Sequence, residues 1–518
     1  MKPCLYPTRS GVNLPLVSCL VLIFVAVCGF WTIYEPFGRD QGIHATIAYA
    51  LRKGYPAYSE VYNVKPPLTT AVYYLSEMLF GHSESSIRWF DLCAVGLTCF
   101  GVARLLALLD FGRSAVTLAP LLFAALYYRF DFWTRAQTDG WAGFLCVFSL
   151  LWMVLGWRRH QWHCFFLSGV ALGLAFAMKY TVAGLGLAIF LPLLTREDSA
   201  QFTLGSFISF VAGGLVTLGM IAAVMAATHC LVPFLEIQEY VLSYTTQWRL
   251  SWRELANGII IPLKSSPFPS LFIAISGVLL LYRLIRGPRQ FADYFFALWT
   301  GTALLSYWVQ AKGFSYHLLP FFLAASTSTA VLWEALSAFL SSRLDHGTVT
   351  RITAAIIVAI GLQPLMQSVP AALDLLRHRQ PDLPAMHFRS TDFSVQRNKQ
   401  AAQRLRELMG PKDTLFVWGY ETMLYYLSGH PPTYRYPYAW PFVVSYYDGR
   451  YSNDLMTRLE ARPPDFFVVQ SGDATPWVTG QSRDSRAMLE KFPQLKAFLT
   501  ANYTKTEELE GFDIWRRR

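Results

Sequence analysis

The sequence predicts an α-helical polytopic membrane protein that ends in an extracytoplasmic α/β domain. Three observations carry that class. Of 518 residues, 53% are hydrophobic and only 15% charged, against roughly 25% charged in a soluble domain. The mean hydropathy is +0.31. Apolar runs long enough for the roughly 30 Å hydrocarbon core recur as far as residue 369. From about residue 371 the charge rises and soluble strand and helix patterns take over. The expected division is a transmembrane catalytic domain at 1–370 and a C-terminal domain at 371–518.

The first run, Leu14–Ile33, lacks a small-residue cleavage site and reads as a retained helix rather than a signal peptide. Further spans are expected at 86–108, 114–130, 139–156, 163–178, 181–195, 202–228, 269–286, 291–310, 317–340 and 351–369. The run Leu68–Phe80, "LTTAVYYLSEMLF", is too short to cross. It contains Glu77 and comes after Pro66–Pro67, which suits a helix start. It is expected to lie in the headgroup region. Eleven crossings then place Arg158, Arg159, Arg283, Arg286, Arg289, Arg343 and Arg351 in cytoplasmic loops, together with Lys2 and Arg9. Arg39, Arg52, Lys53, Lys65, Arg249 and Arg253 fall outside that pattern and are candidates for anion binding.

The net charge of +10 is explained by these basic loops and does not call for nucleic acid. The cysteines, Cys4, Cys19, Cys28, Cys93, Cys99, Cys146, Cys164 and Cys230, lie mostly in or beside apolar runs without paired metal spacing. None falls in the C-terminal part, so no disulfide framework supports it. There, "DTLFVWG" and "DFFVVQ" read as buried strands, and "QRNKQAAQRLRELMG" as a helix closed by Gly410. "SRAMLEKFPQLKAFLT" reads as a second helix interrupted by Pro493, and "EGFDIWRR" as a last strand.

With this topology six ionisable groups face one compartment. They are Asp40 in "FGRDQGIHA", Lys65 in "NVKPPL", Asp139 in "TRAQTDGW", Lys179 in "MKYT", and Lys312 and His317 in "KGFSYHLLP". Any one of them alone reads as a loop charge. Gathered beside a membrane, such groups are paired or functional. Lysines hold a phosphate as compact cations, and a carboxylate takes a proton from an attacking hydroxyl. The set suits transfer from a phosphate leaving group. Arg129 and Arg135 flank the second acid and either bind phosphate or hold the helix end in headgroups. Tyr55, Tyr58 and Tyr62 either stack on a sugar or anchor at the interface. His44, one helical turn after Asp40, reads as structural.

The "RDQG", "KPPL" and "TD" elements and the "KGFSYHLLP" junction, in this order over roughly residues 14–340, resemble the GT-C glycosyltransferases. The nearest resemblance is to the superfamily of protein O-mannosyltransferases and lipid A aminoarabinose transferases. It implies a bacterial inner-membrane transferase that takes its sugar from a polyprenyl-phosphate donor. The acceptor it implies is an extracytoplasmic lipid, glycan or protein. By the same resemblance Asp40 is the base or acceptor-orienting acid and Asp139 the second acid. Lys65 contacts the lipid phosphate, and Lys312 and His317 match the junction pair. Lys179 and Arg135 join the expected phosphate set, and Tyr58, Tyr62 and Glu35 are expected to line the substrate. Many relatives carry a second acid beside the first-loop aspartate, where this chain has Gln41. A partner acid then has to be Glu35 or Asp139. With one acid in each loop a divalent cation is possible but not favoured, and no other cofactor is called for. A transporter or flippase of lipid-linked sugar is the alternative. It predicts charges near the bilayer midplane, whereas here they sit at helix ends.

Overall fold

The computed structural model describes residues 13–195, 202–247, 249–265, 267–287 and 290–518. Lys2, Cys4, Arg9 and Arg289 lie outside them. The described chain is mostly helical, with one four-stranded sheet.

Five helices are long and apolar enough to cross a membrane: Leu14–Tyr34, Glu84–Leu108, Thr138–Arg159, Leu204–Ala227 and Ser315–Ser341. The pair Gly347–Leu362 and Pro364–Leu376, bent by 48°, makes a sixth if taken as one span. A proline lacks the N–H needed to continue the ladder, which accounts for the bend. The expected spans at 114–130, 163–178, 269–286 and 291–310 fall on the helices Arg113–Arg129, Trp162–Met178, Pro267–Arg286 and Phe291–Gln310. By length and composition these do not reach the same standard among the described residues, so six of the eleven expected crossings qualify at most. The run expected at 181–195 is not one α-helix. It is a 3-10 helix, Tyr180–Phe190, continued by a short α-turn, Leu191–Leu194, with a proline in its first turn. A 3-10 helix rises roughly 2 Å per residue, so this stretch is longer and thinner than expected.

The segment set aside as too short forms the helix Pro67–Phe80, with proline in its first turn and Gly81 at φ 85° closing it. Its outward side chains Leu75, Met78, Leu79 and Phe80 are apolar, while Thr69, Thr70, Ser76 and Glu77 are buried. That inverted pattern is the one an interfacial helix presents to lipid.

The chain forms two compact units. The first takes in residues up to Tyr34, Arg88–Ile221 and Leu250–Pro381. The second takes in Glu35–Ile87, Ala222–Arg249 and Asp382–Arg518. The last boundary lies near the composition change at 371. The second unit is nevertheless not contiguous in sequence, because the whole first loop clusters with the C-terminal segment.

In the first unit, helices meet through small residues. A methyl group added at Gly169 would come within 1.9 Å of Phe210 O, and one at Gly213 within 2.0 Å of Phe166 O. Such close backbone approach is how apolar helices pack where water supplies no driving force. The Glu334 carboxylate accepts hydrogen bonds from Gly112 N (2.6 Å) and Ala115 N (3.0 Å). It thereby satisfies otherwise orphaned donors at the start of the Arg113–Arg129 helix.

In the second unit, β1 (Leu415–Trp418) and β2 (Phe466–Gln470) are parallel, pairing Leu415 with Phe466. β3 (Tyr503–Leu509) and β4 (Phe512–Arg517) are antiparallel, and β4 pairs with β2, giving the order β1-β2-β4-β3. β1 and β2 are buried at every position, as their continuous apolar runs require. Ala401, Ala402 and Leu405 of the Val395–Leu408 helix pack on Leu415, Val417, Phe466, Val468, Phe512 and Ile514. That helix starts where the Ser394 side chain accepts from Arg397 N, and its C-cap is Met409 rather than Gly410. Gly410 N instead donates to Asp413 Oδ2 at 2.9 Å. Pro493 does not interrupt a helix. It opens a new one, Pro493–Asn502, after the short Ser485–Leu489 helix.

Candidate functional site

The second unit carries the first acid. The helix Arg39–Arg52 begins after Gly38, which has no side chain to cap it. Asp40 therefore stands in the first turn, at the positive end of the helix dipole. It is half-buried and accepts no hydrogen bond from the described residues. The phenols of half-buried Tyr244 and buried Tyr438 lie within its electrostatic reach. Burial first, and then the Asp40 carboxylate, hold both above the usual tyrosine range. His44 is pushed down to about 3 by burial and by the Lys65 ammonium, against a smaller pull from Asp40. It is thus a neutral imidazole and not a phosphate-binding cation.

The main chain at Lys65 is pinned from three sides. Asn63 Oδ1 accepts from Lys65 N (3.0 Å), Asn63 Nδ2 donates to Thr70 Oγ1 (2.9 Å), and the Tyr58 hydroxyl donates to Lys65 O (2.8 Å). Pro66 and Pro67, with φ fixed by their rings, stiffen the backbone on its C-terminal side. The half-buried Lys65 ammonium takes no carboxylate partner among the described residues. A fixed backbone under an uncommitted ammonium suits capture of an anion.

Tyr58 and Tyr62 are buried packing residues rather than open platforms. The Tyr58 ring meets Phe234 edge-on, and the Tyr62 ring sits among Tyr436, Tyr438 and Tyr451. Glu35 is 2% exposed. Two of the basic residues offered as anion ligands have their anions within the chain. Arg52 pairs with Glu77 at 2.7 Å, and Arg39 is held by Glu421 and Asp392. Glu421 and Asp392 escaped the sequence reading. "YETMLYY" stood out for its tyrosines, and nothing local tied its glutamate to an arginine 382 residues away.

The first unit carries the second acid. Asp139 stands in the first turn of the Thr138–Arg159 helix and is 1% exposed. Lys179 Nζ lies 3.1 Å from its Oδ2, and Gln310 Nε2 donates to its Oδ1 at 3.0 Å. Lys179 caps the Trp162–Met178 helix in extended conformation, and Gln310 ends the Phe291–Gln310 helix. Three elements therefore converge on one carboxylate. The structure brings Lys179 and Asp139 together as an ion pair, and Gln310 is a partner the sequence did not announce. Arg135 is 1% exposed. It donates to the Tyr128 and Phe130 carbonyls and lies 4.8 Å over the Trp31 ring. Through these carbonyls it braces the turn before Asp139. The Ser315 hydroxyl meets Thr134 Oγ1 at 2.8 Å. His317 is buried in the short 3-10 turn Ser315–Leu318, with its ring 4.6 Å from Tyr316. Lys312, half-buried, precedes that turn.

Residues 64–226 match the family model described as dolichyl-phosphate-mannose-protein mannosyltransferase. No curated protein sequence matches the chain. Among solved structures, ArnT from Cupriavidus metallidurans bound to undecaprenyl phosphate is similar over 97% of this chain and 98% of its own, at 14% identity and TM-score 0.60. The same protein without ligand aligns over 96% and 98%, again at 14% identity and TM-score 0.60. An oligosaccharyltransferase from Archaeoglobus fulgidus aligns over 97% of this chain and 73% of its own, at 12% identity and TM-score 0.52. The likeness establishes the fold, which is the GT-C architecture of a multi-pass membrane protein.

Proposed function

We propose that the protein is an integral-membrane glycosyltransferase. It moves a sugar from a polyprenyl-phosphate donor to an acceptor outside the cytoplasm, with Asp40 as general base. The observation that carries this reading is the contrast between the two acids. Asp139 is buried and engaged by Lys179 and Gln310. Asp40 is half-exposed, uncommitted, and mounted on the end of a rigid helix. The fold shared with a protein solved with undecaprenyl phosphate supports the donor class. So does the mannosyltransferase family model over residues 64–226.

In this reading the acceptor hydroxyl attacks the anomeric carbon of the donor sugar and passes its proton to an Asp40 oxygen. The bond from that carbon to the phosphate oxygen breaks, and polyprenyl phosphate leaves with the electron pair. Lys65 balances the charge that gathers on the departing phosphate. Asp139 serves as an orienting acid, because its oxygens are already hydrogen-bonded. The acceptor is a cell-envelope lipid, a glycan or a protein. In this reading the C-terminal segment faces the outside of the cytoplasm at a bacterial inner membrane.

Mass spectrometry of lipid-linked sugars and envelope glycans, with and without the gene, tests the reading. Deletion should accumulate one polyprenyl-phosphate sugar and remove one glycosylated product. Unchanged profiles of both would contradict it.

A further inference from the structure

The helix Arg39–Arg52 has two faces with different duties. Arg39, Gly42, Thr46 and Tyr49 recur at helical spacing. Arg39, Gly42, Thr46 and Tyr49 all meet the segment 420–429. The Thr46 hydroxyl donates to Thr422 O at 2.9 Å, and the Tyr49 hydroxyl to Gly429 O at 2.8 Å. A methyl group on Gly42 would stand 2.9 Å from Met423 Cβ. Asp40 and His44 lie on the other side of the helix, one turn apart.

At the head of the docked face is a closed charge cluster. Arg39 Nε and Nη2 donate to Glu421 Oε1 at 2.9 and 2.8 Å. Its Nη1 donates to Asp392 Oδ2 at 2.8 Å, and Nη2 also donates to Asp392 O at 2.7 Å. The Phe393 and Tyr420 rings each lie 5.6 Å from the guanidinium carbon. Glu421 has no exposed surface, and its other oxygen accepts from Asn398 Nδ2 at 3.1 Å. The turn that bears it is tied to the sheet, since Gln470 Oε1 at the end of β2 accepts from Tyr420 N (2.7 Å) and Glu421 N (3.1 Å). An unbroken chain of hydrogen bonds thus runs from the central strand to the residue next to Asp40.

Removing charge from a merely structural surface pair would change little. Here every donor is directed and the cluster is desolvated, so the geometry it fixes is specific. We propose that Glu421 is a positioning residue for transfer, holding the Asp40 carboxylate in place through Arg39, with Asp392 as the second clamp. The proposal rests on the reading of Asp40 as the base. It gives the C-terminal segment a positioning part in transfer.

The test uses full-length protein in lipid nanodiscs, with the lipid-linked sugar fraction of a deletion strain as donor. Single-turnover transfer is measured for wild type, Glu421→Gln, Glu421→Asp, Asp392→Asn and Asp40→Asn, and binding of undecaprenyl phosphate is titrated on each. Misplacing a reacting group by about 1 Å costs up to about 100-fold. Glu421→Gln should therefore slow transfer by roughly 10- to 100-fold while the titrated binding constant and number of sites stay within about twofold. Glu421→Asp should recover part of the rate, and Asp392→Asn should lose less than Glu421→Gln. Wild-type transfer in Glu421→Gln beside an inactive Asp40→Asn overturns the clamp and leaves the base intact. A Glu421→Gln loss that matches a fall in titrated sites also overturns it, because misfolding alone then explains the result. Full activity in Asp40→Asn overturns the underlying reading instead.

Discussion

Asp40 and Asp139 are both aspartates in the first turn of a helix, and their surroundings give them different work. Asp139 has its charge met by Lys179 at 3.1 Å, with the two side chains 1% and 17% exposed. Removing one partner of such a pair strands the other. We expect Lys179→Met to destabilise the protein by about 3 kcal/mol. Lys179→Met combined with Asp139→Asn should cost less than Lys179→Met alone, as read by thermal unfolding in detergent. His44 supplies a pH signature. Its folded value of about 3 lies below its ordinary 6.5, so the unfolded chain binds the extra proton between those limits. Stability is full above about pH 6.5 and declines as pH falls toward 3. His44→Gln should flatten the melting temperature against pH across that window, and an unchanged slope would show that His44 does not drive it. Residue types at helix ends made Asp40, Lys65, Asp139 and Lys179 visible in the sequence. The pairing of Asp139 with Lys179 was not visible, because it depends on three-dimensional proximity. Nor did the sequence show that Lys179 lies beside Asp139 or that Arg135 donates to backbone carbonyls.

At the scale of elements, apolar runs and proline positions located some elements and misjudged others, such as the 181–195 run and Pro493. The short run after Pro66–Pro67 is a helix with an apolar outer face, and β1, β2 and β4 fall where their apolar runs put them. β3 was missed because "YTKTEEL" carries little apolar signal. It is an edge strand whose partner β4 supplies the pairing. The 3-10 stretch Tyr180–Phe190 was also missed, since its composition matches that of an α-helix. The docked face of Arg39–Arg52 makes the sharpest element-level prediction. Gly42 has no room for a side chain, because an added methyl group would stand 2.9 Å from Met423 Cβ. Gly42→Ala should cost roughly 1–3 kcal/mol by overpacking, measured as a lower midpoint of thermal unfolding. Gly54, where an added methyl meets nothing within 4 Å but φ is +90°, should respond to alanine through backbone strain alone.

At the scale of the whole molecule, the composition break near 371 marked where soluble character begins. It did not show that residues 35–87 and 222–249 belong with the C-terminal segment. Residues 35–87 are held there by the buried cluster around Arg39 and the contacts of Thr46 and Tyr49, whose partners lie 353, 376 and 380 residues away in sequence, and in 222–249 the Tyr240 hydroxyl donates to Pro441 O at 2.8 Å. The fold class was legible because bilayer thickness leaves a plain mark on sequence. The donor and the base are the central claim. The most direct measurement is transfer from the accumulated polyprenyl-phosphate sugar by purified Asp40→Asn beside wild type, with both shown to bind undecaprenyl phosphate. The account predicts a loss of at least about 100-fold with binding retained. Transfer at the wild-type rate by Asp40→Asn would contradict it.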